Sequence, residues 1–236
     1  MRRAALGFLV GVALAAPAWA EITAAQFVDP TGRYGHGVLG DAIEYGALEY
    51  TVQEGGKTRR LRITLPQDHV FEDIAPRLAD VDGDGLPEII VVETDMRQGA
   101  ALAIYGVNGK ITETPHIGQS NRWLAPVGVA DLDGDGAVEL SYVDRPHLAR
   151  VLTVWRFQDG ALEKVATQTG HTNHSIGQDY ITGGVRTCGG VVEMITLSPD
   201  WSRIYATRLI DDALERRDIG PNEKGASVER ALDCNF

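Results

Sequence analysis

The chain has few cysteines and few basic residues. Only two of its 236 residues are cysteine, which excludes a disulfide-dense scaffold and a four-cysteine zinc site. The 22 Lys and Arg residues face 33 Asp and Glu residues, so the net charge is −11. No basic stripe is present to displace counterions from phosphates, and a nucleic-acid partner is therefore excluded. Beyond the first twenty residues no apolar run is long enough to cross a bilayer, so we predict no transmembrane segment in the mature chain.

The first twenty residues have the layout of a secretory signal peptide. Two arginines follow Met1, residues 4–16 are apolar, and Ala18-Trp19-Ala20 forms a small-x-small cleavage site. A membrane anchor is the alternative reading, but the apolar run is shorter than the ~20 residues of a spanning helix. We predict a signal peptide over residues 1–20, a mature domain over 21–236, and a periplasmic or secreted protein.

Export would place Cys188 and Cys234 in an oxidising compartment. A disulfide between them is then the natural expectation, with two free thiols as the alternative. The bond would close a long loop and attach the C-terminal tail, which is worth roughly 4 kcal/mol on the chain-entropy estimate.

An internal repeat is the main signal in the sequence. Residues 77–89 and 128–140 match closely, and each contains the pattern Asp-x-Asp-Gly-Asp-Gly-x-x-Glu, starting at Asp80 and Asp131. Weaker copies start at Asp41 and Asp179, which gives units beginning near residues 33, 72, 123 and 172. Units of this size, with several strands and Gly/Asp turns, predict radial blades or a solenoid-like array. No long segment shows a helical apolar rhythm, so we predict an all-β chain.

The repeated loops carry a set of ligands suited to a hard cation. Acidic side chains stand at positions 1, 3, 5 and 9 of each loop, and the glycines between them allow the tight curl that makes them converge. Carboxylates crowded in this way repel one another unless a cation lies between them. Calcium fits this all-oxygen set best, and magnesium is the second choice. The predicted ligands of two calcium ions are Asp80, Asp82, Asp84, Glu88, Asp131, Asp133, Asp135 and Glu139, with the backbone carbonyls of Leu86 and Ala137. Solvated acidic turns without an ion are the alternative.

The two loops resemble the calcium loops of FG-GAP or VCBS repeats, which occur in the integrin alpha-subunit propeller and in many secreted bacterial proteins. The resemblance implies that each loop joins the first two strands of a blade and that its calcium is structural. This sequence has Glu in place of the usual final Asp, and four units are too few for a seven-bladed ring. We therefore expect a small propeller of four or five blades, closed by the strand around Ile22–Phe27 or by the tail before Cys234. An incomplete propeller-like array of antiparallel four-stranded units is the alternative.

Polar and aromatic residues precede the first aspartate of several units. In a ring such positions lie close to the axis, so these side chains could line one end of a central pocket. The candidate pocket residues are Arg33, His36, Arg122, Trp123 and His174, with Trp123 or Tyr34 as a stacking platform for a sugar or an anionic small molecule. Ordinary turn and strand-edge residues are the alternative.

Two classes of function remain open. The sequence has no Gly-x-Ser-x-Gly, His-Glu-x-x-His, phosphate-loop or dinucleotide motif. This favours an exported, calcium-stabilised, non-catalytic module that binds a protein or a glycan. An envelope hydrolase or glycan-acting enzyme with an axial pocket is the alternative, since propellers host both.

Overall fold

The computed structural model describes residues 19–223 and 226–236. The predicted signal peptide therefore lies almost entirely outside the described residues. The prediction of an all-β chain is confirmed, because sixteen strands and one short helix make up the regular structure of the described part.

The first sheet contains eight strands. They are β1 (Ala20–Thr31), β2 (Glu44–Glu54), β3 (Lys57–Thr64), β4 (His69–Phe71), β5 (Arg77–Ala79), β6 (Glu88–Asp95), β7 (Gly99–Gly106) and β8 (Gly109–Glu113). The order is β1-β2-β4-β6-β7-β8, with β3 paired to β2 and β5 paired to β6. The short strand β4 joins two antiparallel units, β1–β3 and β5–β8, by pairing with β2 on one side and β6 on the other.

The remaining strands form two separate four-stranded sheets. The second sheet comprises β9 (Leu124–Ala130), β10 (Val138–Asp144), β11 (Val151–Gln158) and β12 (Ala161–Thr169), and the third comprises β13 (Gly184–Cys188), β14 (Val191–Leu197), β15 (Arg203–Ile210) and β16 (Ala213–Pro221). Every pairing in both sheets is antiparallel between strands that are consecutive in the chain. A short helix, α1 (Ser227–Leu232), follows the last strand and contacts β13 and β14.

The hydrophobic residues of neighbouring units form the core. Ile89 and Val91 on β6 pack with Leu48 and Phe71 of the first unit. The residues that alternate with them, Ile90 and Val92, face a second cluster shared with β9–β11. The continuous apolar run on β6 is thus covered on both faces, as its composition predicts. Further clusters join the second sheet to the third and the third sheet to α1.

The four units form an incomplete propeller-like array. The expectation of a ring closed by the N-terminal strand or by the tail is wrong for the described residues. The segment Ile22–Phe27 belongs to β1, which pairs along its length with β2, and the tail before Cys234 folds into α1 rather than a strand. The first and last units meet through loops instead, where the Gly177 amide donates to the carbonyl of Val38 at 3.1 Å.

The fourth unit has no acidic loop between its first two strands. A two-residue turn of Gly189 and Gly190 connects β13 to β14. Both glycines have positive φ, which a tight hairpin turn requires. Asp179 lies before β13, so it does not occupy the position that Asp80 and Asp131 hold in their units.

Candidate functional site

The first acidic loop, residues 80–88, connects β5 to β6 and curls around its own carboxylates. Both oxygens of Asp80 accept backbone hydrogen bonds, from Gly83 at 2.8 Å and from Gly85 at 2.9 Å. Gly83 and Gly85 have φ of 77° and 88°, a conformation that other residues rarely adopt. The buried Glu88 closes the loop by accepting from the Val81 amide at 3.0 Å.

The second acidic loop, residues 131–139, connects β9 to β10 and repeats this arrangement. Asp131 accepts from Gly134 at 2.7 Å and from Gly136 at 3.0 Å, and Glu139 accepts from the Leu132 amide at 2.9 Å. The same backbone therefore forms twice from the same motif, because short-range hydrogen bonds to Asp and positive φ at Gly determine it.

Three carboxylates of each loop converge. Asp80, Asp82 and Glu88 each offer an oxygen within 4.8 Å of the other two, and so do Asp131, Asp133 and Glu139. Asp84 and Asp135 are not in these groups; one oxygen of each accepts from the backbone amide two residues later at 2.7 Å. The set of ligands for a metal ion stays a prediction for all eight carboxylates and for the carbonyls of Leu86 and Ala137.

The two loops differ in their electrostatics. Burial raises the pKa of Glu88, and the neighbouring Asp82, Asp84 and Asp80 raise it further. Burial also raises the pKa of Glu139, but a hydrogen bond from Arg156 opposes the shift. Among the described residues, no Lys or Arg forms an ion pair with the first loop. Arg156, on β11, enters the second loop, and its Nε lies 2.6 Å from Glu139 Oε1.

The first loop fits a calcium ion by its donor chemistry. It presents three converging carboxylates and no cationic side chain of its own, and hard oxygen ligands are those that calcium prefers. The second loop already contains a cation, the Arg156 guanidinium, among the equivalent carboxylates. Sequence reasoning missed Arg156 because it lies outside the motif; only the pairing of β10 with β11 could have indicated it.

A pocket of about 300 Å³ lies at the end of the array where loops of different units meet. It is lined by His36, Asn121, Arg122, Trp123, Arg145, His147, Leu148 and Ile176. Three of the five predicted pocket residues, His36, Arg122 and Trp123, thus come together. His174 lies directly behind the lining, with its ring centroid 4.9 Å from that of Trp123.

Arg33 does not belong to this pocket. Its guanidinium donates instead to the backbone carbonyls of His69 and Pro66, beside β4. The expected stacking platform is also wrong, because the Trp123 and Tyr34 side chains are only 2% and 5% exposed. The Trp123 indole donates to the Glu72 carbonyl at 2.8 Å and packs against histidine rings, so it shapes the pocket wall from within.

A histidine–carboxylate pair forms one side of the pocket. His36 Nδ1 lies 2.5 Å from Oε1 of Glu72, a fully buried side chain whose other oxygen accepts from the Thr94 hydroxyl at 2.7 Å. Burial raises the pKa of Glu72, and the His36 contact opposes that shift. Glu72 fixes the orientation of the His36 ring. Sequence reasoning missed Glu72, which follows β4 and has no recognisable motif.

Two neighbouring histidines, His147 and His174, form another part of the pocket wall. His147 Nε2 lies 3.0 Å from His174 Nδ1, and the His147 ring stacks over Trp123 at 6.5 Å between ring centroids. Burial, together with the adjacent His174, lowers the pKa of His147 to about 4. Burial also lowers the pKa of His174. Both rings are therefore neutral at neutral pH and can act as hydrogen-bonding partners.

The predicted disulfide is present. Cys188 at the end of β13 is bonded to Cys234 after α1, with 5.7 Å between the Cα atoms. The bond holds the C-terminal helix against the last sheet, where Val228 and Ala231 complete a hydrophobic cluster. No helix of the described residues is long and apolar enough to span a membrane.

One segment of the chain matches a known protein family. Residues 80–141 match the model of a family described as the FG-GAP-like repeat. None of the curated protein sequences matches the chain. Among solved structures, the exotype rhamnogalacturonan lyase YesX resembles it with a TM-score of 0.43 and 15% identity, covering 72% of this chain and 40% of the lyase chain. The chain thus spans less than half the length of that lyase. Residues 80–141, which match this family model, hold both acidic loops.

Proposed function

We propose that this chain is an exported, calcium-stabilised, non-catalytic module that binds a carboxylate-bearing ligand, presented by a protein or a glycan, in the pocket between its units. The observation that carries the proposal is the convergence of loops from separate units on a pocket that contains two arginines, Arg122 and Arg145, and the neutral imidazole of His147. Arginine is well suited to carboxylates because its planar fork donates two parallel hydrogen bonds.

The surroundings of the arginines support an anionic ligand. The Arg122 side chain donates only to the carbonyl of Asn121, at 2.8 Å, within the described residues. Arg145 donates from Nε and Nη2 to Asp144 at 2.9 and 2.8 Å, so that a ligand would meet the other edge of its guanidinium. Leu148 and Ile176, which are 63% and 71% exposed, add apolar surface at the rim. A ligand with a carboxylate and an apolar or sugar body would match both features.

Calcium and export belong to the same proposal. An ion held by Asp80, Asp82 and Glu88 would fix the β5–β6 connection, because it would offset the repulsion among carboxylates that the folded loop brings together. Export is supported by the pattern of residues 1–20 and by the disulfide, which persists in oxidising compartments. These features predict a protein of the periplasm or the medium.

The experiment is a ligand titration with calcium at saturation. Glucuronate and the methyl glycoside of glucose are compared by thermal shift and by NMR chemical-shift perturbation of the mature chain. We expect glucuronate, and not the neutral sugar, to raise the melting temperature and to shift resonances of the pocket. Arg122→Ala and Arg145→Ala should each weaken the effect, whereas Arg59→Ala, which removes an exposed arginine paired with Glu54, should leave it unchanged. Equal responses to both sugars, or none to either, would refute the proposal.

Catalysis is the second candidate, and the His36–Glu72 pair is the observation that favours it. A histidine oriented by a buried carboxylate is the arrangement of a general base. However, no hydroxyl, thiol or carboxylate side chain is among the described residues that line the pocket, so a covalent nucleophile is missing there. Glu72→Gln separates the two candidates: a hydrolase would lose turnover of a chromogenic glycoside, whereas a binding module shows no turnover with either form.

A further inference from the structure

The Arg156 side chain occupies the centre of the second acidic loop. Its Nε lies 2.6 Å from Glu139, one terminal nitrogen lies 2.7 Å from Asp133 and 3.6 Å from Asp135, and the other lies 3.2 Å from Asp212. The Glu139 side chain is fully buried, and only 18% of the Arg156 side chain is exposed. A guanidinium therefore makes contacts with the side chains that the motif assigns to a metal ion.

The first loop has no counterpart of this arginine. On β10 and β11, Glu139 pairs directly with Arg156. On β6 and β7, Ile89 pairs with Tyr105, so the residue that faces Glu88 in the same register is Gly106. The backbone hydrogen bonds of the two loops agree within about 0.1 Å, and the presence of the arginine is the chemical difference between them.

We propose that Arg156 replaces the divalent cation in the second loop, so that the chain binds calcium at the first loop only. Arginine remains charged at all accessible pH values, and its fork matches two carboxylates at once. A calcium ion in the second loop would have to displace this guanidinium from Asp133 and Glu139 and leave it without these partners, a cost that an ion at the first loop does not meet. The first loop carries no such competitor.

Arg156 in the place of a metal ion also links the second loop to the third sheet. Through Asp212, in the turn between β15 and β16, Arg156 connects the second sheet to the third. Asp212 has a positive φ of 59°, in a turn that brings its carboxylate towards the loop. The contact between these two sheets is therefore independent of calcium, whereas the order of the β5–β6 connection depends on it.

This inference rests on the proposed calcium site of the first loop, and the two can fail separately. The test is the stoichiometry of calcium binding to the mature chain, measured by isothermal titration calorimetry and by terbium luminescence. We expect one ion per chain. Asp82→Asn should abolish this site, and its equivalent in the second loop, Asp133→Asn, should leave one ion bound. These two variants differ only in the loop that they change.

Removal of the arginine provides the converse experiment. Arg156→Gln should raise the stoichiometry from one ion to two, and Arg203→Gln, which breaks the exposed pair with Asp218, should leave it at one. Two ions in the unmodified chain, or loss of binding in Asp133→Asn with retention in Asp82→Asn, would overturn the role of Arg156. No binding at all in the unmodified chain would instead refute the calcium site of the first loop. The comparison of Asp82→Asn with Asp133→Asn needs no arginine variant, so the test holds even if Arg156→Gln does not fold.

Discussion

His171 predicts a specific loss of stability in acid. Its side chain is fully buried, with Nδ1 2.8 Å from the Thr196 hydroxyl and Nε2 2.9 Å from the Gln168 side-chain oxygen. Burial, together with the nearby Arg216 guanidinium, lowers the pKa of His171 to about 3. The ring is therefore neutral in the folded protein at any pH above this value.

The sign and size of the effect follow from the two pKa values. In the unfolded chain the imidazole has its usual pKa of about 6.5, so it binds a proton below that pH while the folded protein does not. The stability that the neutral ring provides is present above pH 6.5 and is lost as the pH falls towards 3. Integrated between pH 7 and pH 5, the loss is about 2 kcal/mol of unfolding free energy from this residue alone.

Urea unfolding of the mature chain and of His171→Gln at pH 7 and pH 5 measures this contribution. The variant is less stable at both values, because it loses buried hydrogen bonds. Its loss of stability between pH 7 and pH 5 should nevertheless be smaller than that of the unmodified chain by about 2 kcal/mol. Between pH 8 and pH 9 the two proteins should change in parallel, since the imidazole is neutral in both states. An equal loss in acid for the two proteins would refute the reasoning.

Two further predictions concern a buried carboxyl group and the disulfide. Glu44 is buried, and one of its oxygens has no hydrogen-bond partner in the described structure; burial, aided by Glu72, raises its pKa to about 9. Folding stability should therefore fall as the pH rises from about 4.5 to 9, since only the unfolded chain ionises this group in that range. Glu44→Gln should make the unfolding free energy less dependent on pH, as measured by a series of urea unfolding curves. Removal of the disulfide by Cys188→Ala with Cys234→Ala should lower the unfolding free energy by about 4 kcal/mol, measured by urea unfolding against the oxidised chain; an unchanged midpoint would contradict a stabilising role for the bond.

The acidic loops were predictable because their structure is local. The spacing of Asp80, Asp82 and Glu88 and the glycines between them determine a curl that needs no information from the rest of the chain. The same motif in 131–139 gave the same backbone. The all-β class followed for a similar reason, since apolar runs rich in β-branched residues are typical of buried strands.

The parts of the candidate site that the sequence did not predict depend on contacts between residues far apart in the sequence. Arg156 enters the second loop because β11 lies beside β10 in one particular register, which no motif encodes. His147 belongs to the pocket because the connection between β10 and β11 folds back over Trp123, although it precedes no unit. Arg33 does precede a unit, yet its guanidinium donates to a backbone carbonyl of β4 and lies outside the pocket. Positional equivalence in a repeat thus placed His36, Arg122 and Trp123 together, but it did not predict where the long side chain of Arg33 ends.

Anomalous diffraction from crystals grown with terbium tests the central claim most directly, because this ion takes the oxygen ligands of calcium sites. We predict one anomalous peak in each molecule, within bonding distance of carboxylate oxygens of Asp80, Asp82 and Glu88. A map with no peak between these three side chains, or with a peak only at the second acidic loop, where Arg156 contacts Asp133 and Glu139, would contradict the account.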